Sequence, residues 1–228
     1  MLLRLPRIQS VFFMHLKNII FDLGGVLLNI DYHLSIQAFK RLGLIDFESF
    51  FTQAAQIKLF DHFDKGNISA GDFRDELRRI SGLSPSDDQI DDAWNAMLLD
   101  FPSERLTLLE ELKKRYRIFL LSNTNDIHYP AYMSYMKRTF GMNDLSVVFE
   151  KQYLSNRIGM RKPDREVYEH ILKENELIAS ETLFIDDTLQ HVEGARKAGL
   201  HALWLDTEKQ QITDFFNPDS FRLNHLPV

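Results

Sequence analysis

Four short apolar runs, each closed by a polar residue, constrain what this chain can fold into: Asn18-Ile19-Ile20-Phe21-Asp22, Ile118-Phe119-Leu120-Leu121-Ser122, Thr182-Leu183-Phe184-Ile185-Asp186 and Ala202-Leu203-Trp204-Leu205-Asp206. Apolar runs without alternation mark strands covered on both faces. Between them apolar residues recur at helical spacings of three and four: Leu106, Leu109, Leu112 and Tyr116, then Val167 with Ile171, then Val192 with Ala195. Strand alternating with helix predicts a parallel α/β sheet, whose ligands bind beyond the carboxyl ends of the strands, where the polar residues stand. Val147-Val148-Phe149 is expected to add a further strand.

The alternation stops between Asp31 and Pro102. Leu34, Ala38, Phe39 and Leu42 form one helical stripe there, and Ile90, Trp94, Met97 and Leu98 another. Ser69, three before Asp72, and Ser84-Pro85, ahead of an acidic first turn, read as helix starts. The expected division is an N-terminal extension over 1–16, a core over 17–30 and 103–228, and an inserted helical cap over 31–102 above the strand tips. Phe47, Phe51, Phe60, Phe63 and Phe73 read as the core of that cap. The acidic run Asp87, Asp88, Asp91 and Asp92 reads as helix first-turn charge that complements the dipole.

Composition narrows the class. At 228 residues the chain suits one domain with a sizeable insertion, and 44% hydrophobic residues with 18 Phe supply a substantial core. The net charge of −6 gives no basic field for phosphate backbones, so nucleic acid is excluded as the expected partner. With no Cys, a disulfide framework, a thiol nucleophile and a thiolate metal site are all excluded, and a reducing cytoplasmic setting is expected. No run of about 18 apolar residues exists to span a membrane. The opening MLLRLPRIQSVFFMHL lacks the uninterrupted apolar stretch and small-residue cleavage site of a signal peptide, and Met14 offers an alternative start.

Four local signals carry chemistry. Asp22 ends the first apolar run and is followed by Gly24-Gly25, which permit a tight turn and close ligand approach; as a lone feature it could equally cap a turn. Ser122-Asn123-Thr124-Asn125 follows the second run and offers hydroxyl and amide donors to an oxyanion, or is simply a polar loop. Lys162, in Gly159-Met160-Arg161-Lys162-Pro163-Asp164, is fixed by the following proline, though most lysines are solvated surface groups. Asp186-Asp187 closes the third run, and adjacent carboxylates there repel each other unless a hard cation such as Mg²⁺ relieves them.

In this order, the phrases FDLGGV, LLSNTN, GMRKP and FIDD resemble the haloacid dehalogenase superfamily over nearly the whole chain, and within it the bacterial glucose-1-phosphate phosphatase branch. The resemblance implies a Rossmann-like core with a C1-type helical cap and a Mg²⁺-dependent phosphatase acting on a small phosphorylated metabolite, a sugar phosphate first of all. It implies Asp22 as the nucleophile that forms an aspartyl phosphate. Ser122, Asn123 and Lys162 then serve as phosphate donors, with Lys162 also catalytic, and Asp22, Asp186, Asp187 and the Gly24 carbonyl hold the metal.

One departure matters. Phosphatases of the family usually carry an aspartate two positions after the nucleophile as general acid and base, and here that position is Gly24. Asp126 or His128 could take over, or the leaving group could depart unassisted, as suits an anomeric oxygen. The remaining alternatives are a non-catalytic binding protein and a metal-independent 2-haloacid dehalogenase, against which the Asp186-Asp187 pair argues. His191, four residues after Asp187, could tune the site or merely occupy a helix start.

Overall fold

The apolar runs become strands because both faces of each are covered. In the computed structural model, which describes residues 16–44 and 54–223 with backbone alone for 54–57, one parallel sheet runs in the order β3-β2-β1-β4-β5. Its strands are β1 (Asn18–Phe21), β2 (Arg117–Ser122), β3 (Lys151–Leu154), β4 (Thr182–Asp186) and β5 (His201–Trp204). On one face Ile19, Phe21, Leu120 and Ile185 pack against α5 (Ser103–Leu112) and α6 (His128–Phe140). On the other, Ile20, Phe119, Leu121 and Phe184 meet α8 (Arg165–Glu174) and α9 (Leu189–Lys197), which present Val167, Tyr168, Ile171, Val192 and Ala195. Burying each such large side chain contributes about 1.5–3 kcal/mol, enough in sum to fix the strand tips rigidly.

The edges of the sheet differ from expectation. Val147-Val148-Phe149 is not a strand: Val147 ends a 3-10 turn over Leu145–Val147 and is 59% exposed, while Val148 and Phe149 enter the core from the loop. The strand follows at Lys151–Leu154. Its outer half is polar because an edge strand needs apolar residues only where it is covered, at Tyr153 and Leu154. β5 ends at Trp204, which is 40% exposed on the opposite edge rather than buried on both faces.

The insertion between β1 and α5 is helical: α1 (Tyr32–Arg41), α2 (Ala54–Asp64), α3 (Ala70–Ser81) and α4 (Asp87–Asn95). Ser69 and Asp72 form a reciprocal capping box at the start of α3. At α4 the cap is Ser86 with Gln89, two residues beyond the expected Ser84, because Ser86 is the hydroxyl whose geometry reaches the backbone N–H of the third helical residue. Asp87 and Asp91 pair with Arg78 and Arg74, the latter at 2.7 Å, so this acidic run is matched within the insertion. Phe39, Phe63, Phe73, Ile90 and Trp94 form a separate core, with the Phe63 and Phe73 rings stacked at 4.2 Å. Phe60 packs on Trp94 at 5.1 Å, whereas Phe47, Phe51 and residues 1–15 lie outside the described residues.

The two linkers of the insertion pair with each other. Asn29 N–H donates to the Asp100 carbonyl at 2.8 Å, Leu99 N–H to Asn29 at 2.9 Å, and Asp31 N–H to Met97 at 2.9 Å, around an antiparallel bridge of Ile30 with Leu98. The helices are thereby held over the carboxyl ends of β1, β2 and β4.

Candidate active site

Parallel register brings the polar strand ends together. Phe21 pairs with Leu120 and with Ile185, so Asp22, Ser122 and Asp186 emerge within one residue of each other along three adjacent strands. Lys162, fully buried, enters among them from the loop before α8. Its Nζ lies 2.6 Å from Asp22 Oδ1 and 2.6 Å from Asp186 Oδ2. The entry angle is set by a reciprocal pair, since Lys162 N–H donates to Asn123 Oδ1 and Asn123 Nδ2 donates to the Lys162 carbonyl, both at 3.0 Å. The Asn123 side chain is thus occupied in holding Lys162, while Ser122, also buried, faces the cavity beside Asp22.

The carboxylates are unequal. Burial tends to raise Asp186, but Lys162 and then His191 outweigh it and hold it at about 2. Its oxygens accept from Lys162, from Thr188 N–H at 2.8 Å and from His191 Nδ1 at 3.0 Å. Burial drives Asp22 well above the usual carboxylate range, with repulsion from Asp186 adding to this and Lys162 acting against it. Asp187 is pushed up to about 6 by burial and then by Asp186. Lys162 is pulled down by burial yet rises above its ordinary value through Asp186 and Asp22, so it stays charged.

Two carboxylates bond one ammonium and a third, Asp187, lies near them, which leaves negative charge uncompensated in a buried place. Atoms of Asp22, Asp186 and His191 all lie within 4.8 Å of one another. The donor set at the strand ends is dominated by carboxylate oxygen, as hard divalent cations require. The turn after Asp22 is shaped for this crowding. Gly25 has φ +74°, and a β carbon there would stand 2.1 Å from Asp187 Oδ2, so only glycine admits Asp187 to the turn. The Asp187 carbonyl is in turn fixed by Trp204 Nε1 at 2.8 Å. Magnesium therefore fits the residues present.

Gly24 is a different case, since its φ is ordinary. A β carbon there would meet Ile30 Cδ1 at 3.2 Å, so an apolar side chain stands where a side chain at this position would project. Neither expected substitute is placed for acid work. Asp126 is exposed and accepts from Asn156 Nδ2 at 2.7 Å. His128 is buried, which drives it down to about 3 and keeps it neutral, with Nδ1 bonded to Asn95 Oδ1 at 2.9 Å and its ring stacked on Trp94.

A cleft of about 90 Å³ at Asp22, Ser122, Lys162 and Asp187 shares Tyr32, Met97, Asn123, His128 and His191 with a cavity of about 500 Å³ beneath the helical insertion. A larger cavity of about 630 Å³ lies outside the linkers, by Asn29, Asp100 and Arg105, and contains none of the strand-end carboxylates. The sequence assigned no role to Asp64 or Arg161 in the 500 Å³ cavity, and marked Asn125 only as part of the polar run after β2. They meet only through tertiary closure. His191 was noticed by its spacing, but its partner Asp186 could be assigned only once a helix began at Leu189.

This geometry, an aspartate turn opposite an acidic pair with a buried lysine between them under a helical lid, defines a class of hydrolases. The chain belongs to the haloacid dehalogenase-like hydrolase family, whose pattern matches residues 16–199. It is 31% identical to a D-ribitol-5-phosphate phosphatase of Bacteroides thetaiotaomicron, over 81% of this chain and 89% of that protein. It is also 31% identical to the sesquiterpene phosphatase AstK of Aspergillus oryzae, over 83% of this chain and 89% of that one. Among solved structures it resembles a HAD family enzyme of B. thetaiotaomicron in complex with magnesium and inorganic phosphate, with a TM-score of 0.80 at 35% identity, covering 89% of this chain and all of that one. Dehalogenase structures at 20% identity and a TM-score of 0.55 share the fold alone.

Proposed function

We propose that this protein is a magnesium-dependent phosphatase of small phosphate monoesters, with a sugar or polyol phosphate as substrate, acting in the cytoplasm. The observation that carries this is Lys162 Nζ bridging Asp22 and Asp186 at 2.6 Å beside Asp187. Asp22 is the nucleophile: one of its oxygens bonds to phosphorus as the ester oxygen leaves, giving an aspartyl phosphate that water later hydrolyses. Asp22, Asp187 and the Gly24 carbonyl would hold the magnesium, and Asp186 would add its charge while its oxygens orient Lys162 and His191. When bound, the metal supplies charge neutralisation for the phosphate oxygens. Lys162 and Ser122 donate to the remaining phosphate oxygens, and Asn123 keeps Lys162 in place.

With Ile30 beside Gly24, no carboxyl of this turn protonates the leaving group, and its proton comes from water. This suits esters whose alcohol is comparatively acidic. The test is phosphate release from a panel of sugar, polyol and aryl phosphates. Turnover with Mg²⁺, loss in EDTA and loss in Asp22→Asn are expected. Equal release in EDTA would refute the metal assignment, and an active Asp22→Asn would refute the covalent step.

A further inference from the structure

The 500 Å³ cavity has a mixed lining. Tyr32, Ile36, Phe60, Trp94 and Met97 supply the largely apolar part of its lining, and Asp64, Asn125, His128 and Arg161 the polar part. Two of these polar groups are incompletely satisfied. The buried Nε of Arg161 has no hydrogen-bond partner among the described residues, its guanidinium being otherwise engaged with Asp61 at 2.6 Å and, more loosely, Asp64 at 3.6 Å. Asp64 accepts only one close hydrogen bond among the described residues, from Asn125 Nδ2 at 3.2 Å. Burial accordingly pushes it up to about 6 despite Arg161.

Asp64, with a single close hydrogen bond, lines the cavity together with the partly exposed Arg161 guanidinium, so a ligand group that donates to the one and accepts from the other suits both. A hydroxyl does both. Neutral His128, with Nδ1 on Asn95, turns Nε2 as a further acceptor. The aromatic part of the lining suits the C–H face of a carbon chain. An isoprenoid or alkyl chain would suit the apolar part but would displace water from Asp64 and the Arg161 guanidinium without replacing its hydrogen bonds.

We propose that Asp64 and Arg161 are specificity-determining residues that read hydroxyl groups of the leaving alcohol, so that the substrate is a polyhydroxylated phosphate ester and not an apolar one. This rests on the phosphatase assignment above. The geometry places hydroxyl recognition on α2 and on the loop that carries Lys162, apart from the carboxylates that handle the phosphate.

The experiment compares kcat/KM for ribitol 5-phosphate and n-pentyl phosphate, matched in carbon number, with p-nitrophenyl phosphate as a third ester. The wild type should prefer the polyol ester by about 10²-fold or more, as sites built to bind a hydroxyl reject analogues lacking it. In Asp64→Leu that preference should fall at least tenfold, with the loss in KM. Asp64→Asn, which keeps an acceptor oxygen, should retain more of it. A wild type that favours pentyl phosphate would overturn the proposal, as would an Asp64→Leu variant that loses the same factor on all three esters. No release from any ester by the wild type would overturn the phosphatase assignment itself, and the subsite with it.

Discussion

Ile30 stands against Gly24, its Cδ1 3.2 Å from where a β carbon would project. The absent acid is therefore not an empty slot but one filled by an apolar neighbour. Gly24→Asp alone should be hindered by this contact, whereas Gly24→Asp combined with Ile30→Ala should accommodate the carboxyl. In the wild type, single-turnover phosphorylation should slow steeply as leaving-group pKa rises, so an anomeric phosphate should outrun the 6-phosphate of the same hexose. The double variant should flatten that slope and help poor leaving groups most, within the roughly 10²–10⁴-fold range of general acid catalysis. A wild-type rate already independent of leaving-group pKa would point to an acid elsewhere.

Lys162→Ala should lose most activity. Its ammonium bonds both Asp22 and Asp186, so its removal leaves buried Asp22 without a charge partner and Asp186 with only Thr188 and His191; breaking a buried ion pair typically costs about 3–5 kcal/mol. A lysine merely on the surface would leave kcat/KM within about twofold, since exposed charges contribute little. Steady-state kinetics alongside denaturant unfolding separates the two.

Gly25→Ala should weaken magnesium binding more than Gly24→Ala does. The first forces a side chain into φ +74° and onto Asp187 Oδ2 at 2.1 Å, while the second meets only the movable tip of Ile30. Activity measured against Mg²⁺ concentration should show a tenfold or larger rise in the half-saturating value for Gly25→Ala. Equal curves for both variants would show that Asp187 does not need this approach.

The pH dependence of stability follows from Asp64. Burial raises it from 3.8 to about 6, so between these values the folded chain binds more protons than the unfolded one. Stability therefore falls as pH rises through that window, by on the order of 3 kcal/mol at most at about 1.4 kcal/mol per unit; with the side chain 18% exposed this is an upper bound. Asp187, also at about 6, acts in the same direction. In EDTA, Asp64→Asn should unfold with a shallower pH slope than the wild type across this window and be the more stable of the two above it. Parallel profiles would remove Asp64 as a source.

The sequence was legible where burial is complete. The middles of β1, β2 and β4 are apolar because both faces are covered, and the polar residues that close them locate Asp22, Ser122 and Asp186 from sequence alone. The edge strand was missed because Lys151 and Gln152 face outward and the more apolar Val147-Val148-Phe149 lies just before it. Asp64 and Arg161 were invisible for another reason. Their chemistry arises when α2 docks on a loop remote in sequence, and neither residue type is unusual in its local setting.

Besides the packing of Ile127 and His128 into its core, the insertion is attached at its margins in two unlike ways. At one edge, backbone hydrogen bonds between Asn29, Asp31, Met97, Leu99 and Asp100 join its linkers. At the other, contact rests on side chains, with Lys65 on Asp164 at 3.0 Å and Asp61 on Arg161 at 2.6 Å, the two pairs straddling Lys162 in sequence. Half-exposed ion pairs are screened by salt, whereas backbone ladders are nearly indifferent to it. Ionic strength thus acts on one margin of the lid and not on its hinge, so a saline buffer should favour access to the leaving-group cavity while the strand tips beneath keep their shape.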